Sequence, residues 1–293
     1  MKMELKIQNK NQTVFYDGEN IIAPKIVPKP IKVIEVFDDG SYLGLYDNTV
    51  KVYFKRMLNG EYHITIGGKK INPHCFLSSK LDTAFCLVSR NANTSIILSG
   101  LYAVGNTKFE NYPNDKFLWA DGEVRDGMKR NGQLQFINDV NLKFYDKFVM
   151  VIDDPLKRYI RALNRLLISP HVPKDKIPTL SKEYIDNYVN NMLEFSDYCE
   201  NDKNFTWEQH LGLQSSYYDV CTKKGKDVEL VQLSDLPQWW EHTYNSKWLK
   251  NNVSNPKERV ITFDNMTDEQ KEKTMKFLEN DIKWYSQLLN IIN

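Results

Sequence analysis

The chain has 293 residues, with 39 Lys and Arg against 38 Asp and Glu and a formal net charge of +1 at pH 7. That length admits one large domain, or a small and a medium one. The charge balance argues against the strongly basic footprint of a nucleic-acid binder. No run of about 18 apolar residues predicts a membrane span, and the opening MKMELKIQNK lacks the apolar core of a secretory signal. A cytoplasmic protein with neither nucleic acid nor membrane as partner is expected. Cys75, Cys86, Cys199 and Cys221 show no C-x-x-C spacing, so reduced thiols are expected rather than a zinc site or a disulfide framework.

Residues 5–7 and 14–16 read as short strands. Pro24, Pro28 and Pro30 then argue against a central strand or a helix. Residues 31–37 form a strand run ending at the turn signal Asp38-Asp39-Gly40. Val50, Val52 and Phe54 alternate with polar residues, Asn59-Gly60 is a hairpin signal, and Tyr62, Ile64 and Ile66 alternate again. The pattern predicts an antiparallel β meander ending near Asn72, within a small β module at residues 1–76. Its tyrosines, Tyr42, Tyr46, Tyr53 and Tyr62, suit sheet packing, since aromatics favour strands. The competing reading is a binding face for a protein partner.

From about Phe76 the character becomes α/β. Residues 84–88 form an apolar strand run, a polar loop follows, and Ile97, Leu101 and Val104 recur at helical spacing. Thr94 is an acceptable N-cap. A strand, a loop of small residues and a helix N-terminus make an anion site, because the first amide groups and the helix dipole both face the loop. Arg90 adds a fixed charge and Ser95 a hydroxyl donor. The G-x-x-x-x-G-K-[ST] pattern of an ATP P-loop is absent. An ordinary strand–loop–helix unit with a solvated Arg is the alternative.

Residues 106–141 are rich in Gly, Asn and Asp, with Arg125, Lys129 and Arg130. They read as an irregular segment, either a solvated insertion or an acceptor-site loop. Residues 148–152 form a continuous apolar run, as in a parallel strand covered on both faces. Asp153-Asp154-Pro155 ends it and opens a helix with Leu156, Ile160, Leu163 and Leu167 on one stripe. Arg158, Arg161 and Arg165 fall on its other side: a solvated basic face, or phosphate contacts near the strand's C-terminal end. A helix over residues 182–198, a strand at 228–233 and a helix over 267–290 complete the chain. Thr267 with Gln270 makes a capping box, and Leu278, Ile282, Tyr285 and Leu289 share a face.

The run Arg90-Asn91-Ala92-Asn93-Thr94-Ser95 resembles the 5′-phosphosulfate loop of sulfotransferases that use 3′-phosphoadenosine 5′-phosphosulfate (PAPS), with Arg in place of the family's Lys. Asp154, Pro155 and Arg158 match the family's 3′-phosphate motif. Asp153 stands where the family has a phosphate-contacting Arg, and Arg161 where it has Ser. An Asp there repels phosphate, and Arg161 is the candidate to restore the charge. His210 to Gln214 resembles the H-x-x-x-Q stretch of carbohydrate-type sulfotransferases, Asn252-Val253-Ser254 a turn of that family, and ENDIKWYSQLL its closing helix. These stretches keep the family's order across residues 80–293.

The resemblance implies a P-loop-type parallel sheet flanked by helices over residues 77–293, preceded by the antiparallel β module. It implies transfer of a sulfuryl group from PAPS, as co-substrate and without a metal, to a hydroxyl on a glycan or a small compound. Arg90, Asn91, Ala92, Asn93, Thr94, Ser95, Arg158 and Arg161 would bind the nucleotide. Arg90 would stabilise charge, and His210 and His171, with Glu208 behind them, are the candidate bases. The alternative is a catalytically decayed sulfotransferase fold serving as a binding or structural protein. A nucleotide kinase fits less well, for want of the P-loop lysine and glycines.

Overall fold

The first strands follow the alternation of the sequence. In the computed structural model they are β1 (Met3–Ile7), β2 (Gln12–Tyr16), β3 (Asn20–Ala23), β4 (Val27–Val36), β5 (Tyr42–Tyr46), β6 (Val50–Arg56) and β7 (Tyr62–Ile66). The structure describes these strands and residues 73–112, 121–167, 180–200, 210–250 and 260–292. Each consecutive strand pair is antiparallel. A parallel pairing of Ile7 with Tyr62 joins β1 to β7, so the meander closes into a barrel. Closure removes the exposed edges of an open sheet. Pro28 and Pro30 lie within β4, against the expectation that they would exclude a strand. They fall in a register irregularity, between Val27, paired with Ala23, and Ile31, paired with Ile21. Pairing of β4 with β5 starts only at Ile31. Proline is tolerated where the ladder is interrupted.

The chain folds as two compact units. One comprises residues 1–70, 163–211 and 260–277, the other residues 71–162, 212–259 and 278–293. In the first, Asn164 is buried and acts as a two-sided tie. Its Nδ2 donates to the Ile261 carbonyl at 2.7 Å, and its Oδ1 accepts from the amides of Val260 and Ile261 at 3.0 Å each. The predicted capping box forms there. The Thr267 amide donates to Gln270 Oε1 and the Gln270 amide to Thr267 Oγ1.

The second unit holds a five-stranded sheet built from β8 (His74–Ser78), β9 (Thr83–Cys86), β10 (Leu134–Phe136), β11 (Lys147–Ile152) and β12 (Glu229–Gln232), in the order β10-β8-β9-β11-β12. The expected all-parallel sheet is corrected by this topology. β9, β11 and β12 are parallel, whereas β10 and β8 run antiparallel to their neighbours. The cause is local. A single 3-10 turn at Ser79–Leu81, followed by Asp82 at φ 47°, returns the chain directly from β8 into β9. A parallel partner would require a crossover of a dozen residues or more.

Helices cover both faces. They are α1 (Asn93–Ala103), α2 (Gly122–Arg130), α5 (Gln214–Thr222), α6 (Leu236–Tyr244) and the C-terminal part of α7 (Asp268–Ile292); α3 (Pro155–Leu167) divides between the two units at Leu163, and α4 (Lys182–Glu200) lies in the first. Phe76, Phe85, Val149 and Val151 pack with Ile96, Ile97, Leu101, Met128 and Trp240 on one face. Cys75, Ala84, Cys86, Phe148, Met150 and Ile152 pack with Tyr217 and Cys221 on the other, where Trp284 and Leu288 also lie. Each large apolar side chain buried this way contributes about 1.5–3 kcal/mol. The segment expected to be irregular contains α2 and β10. Two glycines in GEVRDGMKR obscure α2, whose N-cap Asp121 accepts from the Val124 amide. Among the described residues no helix is long and apolar enough to cross a membrane.

Candidate anion-binding site

Strand β9 runs on through the buried Leu87 and Val88 into the loop at residues 89–92. The Asn91 amide donates to the Val88 carbonyl at 3.1 Å, which turns the chain. Arg90 (φ 74°) and Ala92 (φ 57°) both occupy the left-handed region. Among the described residues the other non-glycine positions with positive φ are Asp82 and Asn245, types that tolerate that region. Arg and Ala do not, and each costs about 1–2 kcal/mol there. Both unfavourable cases thus fall within three residues, ahead of one helix. Backbone strain of this kind concentrates at functional sites.

Helix α1 starts at Asn93, with Ala92 as N-cap, two residues earlier than an N-cap at Thr94 would place it. The first intrahelical bond runs from the Ile96 amide to the Ala92 carbonyl at 3.0 Å. Ala92 has no side-chain acceptor, and no side-chain cap forms. The amides of Asn93, Thr94 and Ser95 therefore precede the helical ladder, at the positive end of the dipole. Ser95 is buried; Arg90, Asn93 and Thr94 are half-buried. Ile96, Ile97 and Leu98 anchor this end of α1 in the core.

Three side chains hold the strained loop. Arg158 is fully buried, and its Nε donates to the Ser89 carbonyl at 3.0 Å. Its guanidinium lies 6.0 Å from the centre of the Tyr217 ring. Burial pulls its pKa below the usual arginine value, and the nearby Tyr217 and Asp281 oppose that shift. Arginine stays charged under such shifts. Of the two readings of Arg158, a solvated face or a phosphate contact, the first is corrected: the side chain is buried and props the loop from inside.

Asn91 is likewise fully buried. Its Nδ2 donates to the Val151 carbonyl at 2.8 Å and to Gln214 Oε1 at 2.7 Å. Its Oδ1, and that of Asn93, are buried without a hydrogen-bond partner. Gln214 Oε1 also accepts from the Asp153 amide, and Gln214 Nε2 donates to the Asp153 carbonyl. One amide side chain thus ties the loop after β9 to the end of β11. Asp281, fully buried on α7, accepts from the amides of Gln214 and Ser215 at 2.9 and 2.7 Å and caps α5. Arg161, expected to offer its charge to a ligand, donates from Nη2 to Asp153 Oδ2 in an ion pair.

Of the predicted site residues, Asn91 and Arg161 are thus linked through Gln214 and Asp153, and Arg158 holds the same loop at Ser89. His210 lies half-buried at a turn in the other compact unit. His171 and Glu208 lie outside the described residues. Gln214 and Asp281 were missed as site residues. Their signals were a glutamine closing the H-x-x-x-Q stretch, and an acid beside Leu278, Ile282 and Tyr285 on a helix face otherwise apolar. Compared with known proteins, the chain matches no family model, no curated protein and no solved structure.

Proposed function

We propose that the protein is a sulfotransferase that takes the 5′-phosphosulfate end of an activated-sulfate nucleotide of the PAPS type in the loop at residues 89–95. It transfers the sulfuryl group to a hydroxyl on a carbohydrate or a small compound. The observation that carries this reading is the paired left-handed conformation of Arg90 and Ala92 ahead of a helix with no N-terminal side-chain cap. Backbone amides in such a turn form an anion-binding concavity.

In the reaction the acceptor oxygen bonds to sulfur as the bond from sulfur to the bridging oxygen of the 5′-phosphate breaks. The nucleotide leaves with that electron pair, and the acceptor proton passes to a base. Negative charge grows on the departing phosphate, where Arg90, Thr94, Ser95 and the first amides of α1 stabilise it. His210 and His171 are the candidate bases for that proton. A second reading, a sulfotransferase fold kept for binding alone, draws support from the Asp153–Arg161 pair, which engages one of the expected phosphate cations.

Titration calorimetry of the full chain with adenosine 3′,5′-bisphosphate and adenosine 5′-monophosphate tests this. Micromolar binding of either nucleotide, weakened about tenfold or more in Ser95→Ala and in Arg90→Ala, is the expected result. Absence of binding by both at millimolar concentration overturns it in favour of the second reading.

A further inference from the structure

We infer that Asp281 is the built-in counter-charge of the anion site: from behind the loop at residues 89–95 it offsets Arg158, which holds the loop together without a ligand and lowers its affinity for the anion it takes. The inference rests on the anion-binding part of the reading above and deepens it by naming the residue that sets the strength of binding.

Among the described residues, Arg158 and Asp281 are the two charged side chains buried from solvent, both 0% exposed. Charged groups are almost never fully buried unless paired. These two have opposite sign and support the same loop. Arg158 Nε donates to the Ser89 carbonyl at 3.0 Å. Asp281 reaches the loop through α5. Its two carboxylate oxygens accept from the amides of Gln214 and Ser215 at 2.9 and 2.7 Å, and Gln214 Oε1 accepts from Asn91 Nδ2 at 2.7 Å. Burial pulls the Arg158 pKa down, and Tyr217 and then Asp281 oppose that pull. The acid and the guanidinium thus act on one another across the same support.

A buried ion pair is weak evidence for stability, since apolar side chains of similar volume often serve as well. Its place beneath an anion loop gives it another effect. Arg158 bonds the loop directly, whereas Asp281 stands one residue further back, behind Gln214. An anion at the loop is attracted by the first and repelled by the second. The pair of Asp153 with Arg161 is partly exposed, so solvent and salt screen it more strongly than two fully buried groups. The pull of Arg158 on a ligand is therefore largely offset inside the protein. The left-handed turn at Arg90 and Ala92 is meanwhile held before a ligand arrives.

The test is titration calorimetry of the full chain, wild type and Asp281→Asn, with inorganic pyrophosphate, which has the shape of a phosphosulfate group, and with adenosine 3′,5′-bisphosphate and adenosine 5′-monophosphate. Asparagine keeps an acceptor for an α5 amide and removes the charge. Asp281→Asn is expected to melt at a lower temperature, because Arg158 loses its partner. It is nevertheless expected to bind pyrophosphate about tenfold more tightly at low ionic strength, a gain that shrinks as salt is added. A merely structural role would weaken binding along with stability. Affinity unchanged or weaker in Asp281→Asn overturns this inference and leaves the sulfotransferase reading intact. Binding of pyrophosphate without either nucleotide overturns the sulfotransferase reading, and the variant's affinity for pyrophosphate still decides the inference. Failure of all three to bind the wild type overturns both. Should Asp281→Asn not fold alone, its refolding in millimolar pyrophosphate, against sodium chloride of equal ionic strength, decides: recovery of the native near-UV circular dichroism supports the counter-charge, and no recovery overturns it.

Discussion

Gln214 clamps Asp153 from both sides of its main chain, accepting from its amide at 2.9 Å and donating to its carbonyl at 2.7 Å. Oε1 of the same side chain takes the Asn91 amide group at 2.7 Å. One buried residue therefore sets the spacing between two strand ends that belong to a single candidate site. Gln214→Leu removes three hydrogen bonds in a fully buried place. The expected loss of stability is about 2–4 kcal/mol, since buried polar groups left without partners carry their full desolvation penalty. Urea unfolding measures it. A loss below about 0.5 kcal/mol would show that the clamp is not a structural tie.

Ala92 bears the cost of its left-handed backbone without side-chain compensation. Ala92→Gly removes that cost of about 1–2 kcal/mol and gives back about 0.4–1 kcal/mol through the freer unfolded chain. A net gain of about 0.5–1 kcal/mol is expected, read as a rise of a few degrees in melting temperature. A fall in melting temperature would mean that the loop conformation is not strained as described.

Gly100 lies where α1 meets the sheet. A Cβ there would overlap the Phe76 ring, whose carbons are fixed in the core. Gly100→Ala should therefore destabilise the protein by about 1–3 kcal/mol, in spite of alanine's better helix propensity. Pairing it with Phe76→Leu should recover part of the loss, and strict additivity of the two changes in a denaturation series would refute the clash.

Cys75 and Cys86 are cross-strand partners on one face of the sheet. The Leu87 amide bonds to the His74 carbonyl at 2.9 Å on the adjoining pair, so the two cysteines occupy a non-hydrogen-bonded position, where side chains approach most closely. Both are free thiols, and Cys221 packs beside them. The contact with Cys86, then burial, pushes the Cys75 pKa up; the contact with Cys221 is the main cause of the raised Cys86 value. A Cys199→Ser protein should leave an aromatic disulfide reagent unreacted when native and yield three thiols in guanidinium.

The sign of the pH dependence follows from those raised values. The folded protein holds these protons more tightly than the unfolded chain. Their contribution is fully present below the unfolded thiol pKa of about 8.5 and is lost as pH rises beyond it. Tyr112 acts in the same direction: burial, then Asp121, raises its hydroxyl to about 12. Thermal melts between neutral and alkaline pH should show stability falling on the alkaline side. The alkaline loss should be smaller when Cys75 and Cys86 are both replaced by Ala.

Residue order alone determined the local pieces. Alternation marked most strands of the barrel, the continuous run at residues 148–152 marked a strand covered on both faces, and Thr267 with Gln270 marked the start of α7. These features depend on neighbours a few residues apart, and so the chemistry that creates them is written in short windows. The loop and helix at residues 89–103 were legible as a unit for the same reason.

Tertiary structure alone decided the rest. Barrel closure depends on β1 meeting β7, and the antiparallel half of the sheet on which strands β8 and β10 find as neighbours. The start of α1 at Asn93 depends on a backbone that short-range preference would not adopt at Arg90 or Ala92. It is held by Arg158 on Ser89 and by Asn91 on Val151 and Gln214. Helical periodicity alone put Arg158 opposite the apolar stripe of its helix, yet the fold buries it, and the Ser89 carbonyl and the Tyr217 ring meet it there. Those partners lie dozens of residues away along the chain. Their hydrogen bonds and packing exist only once the sheet is assembled, and they outweigh the local cost of the loop they hold.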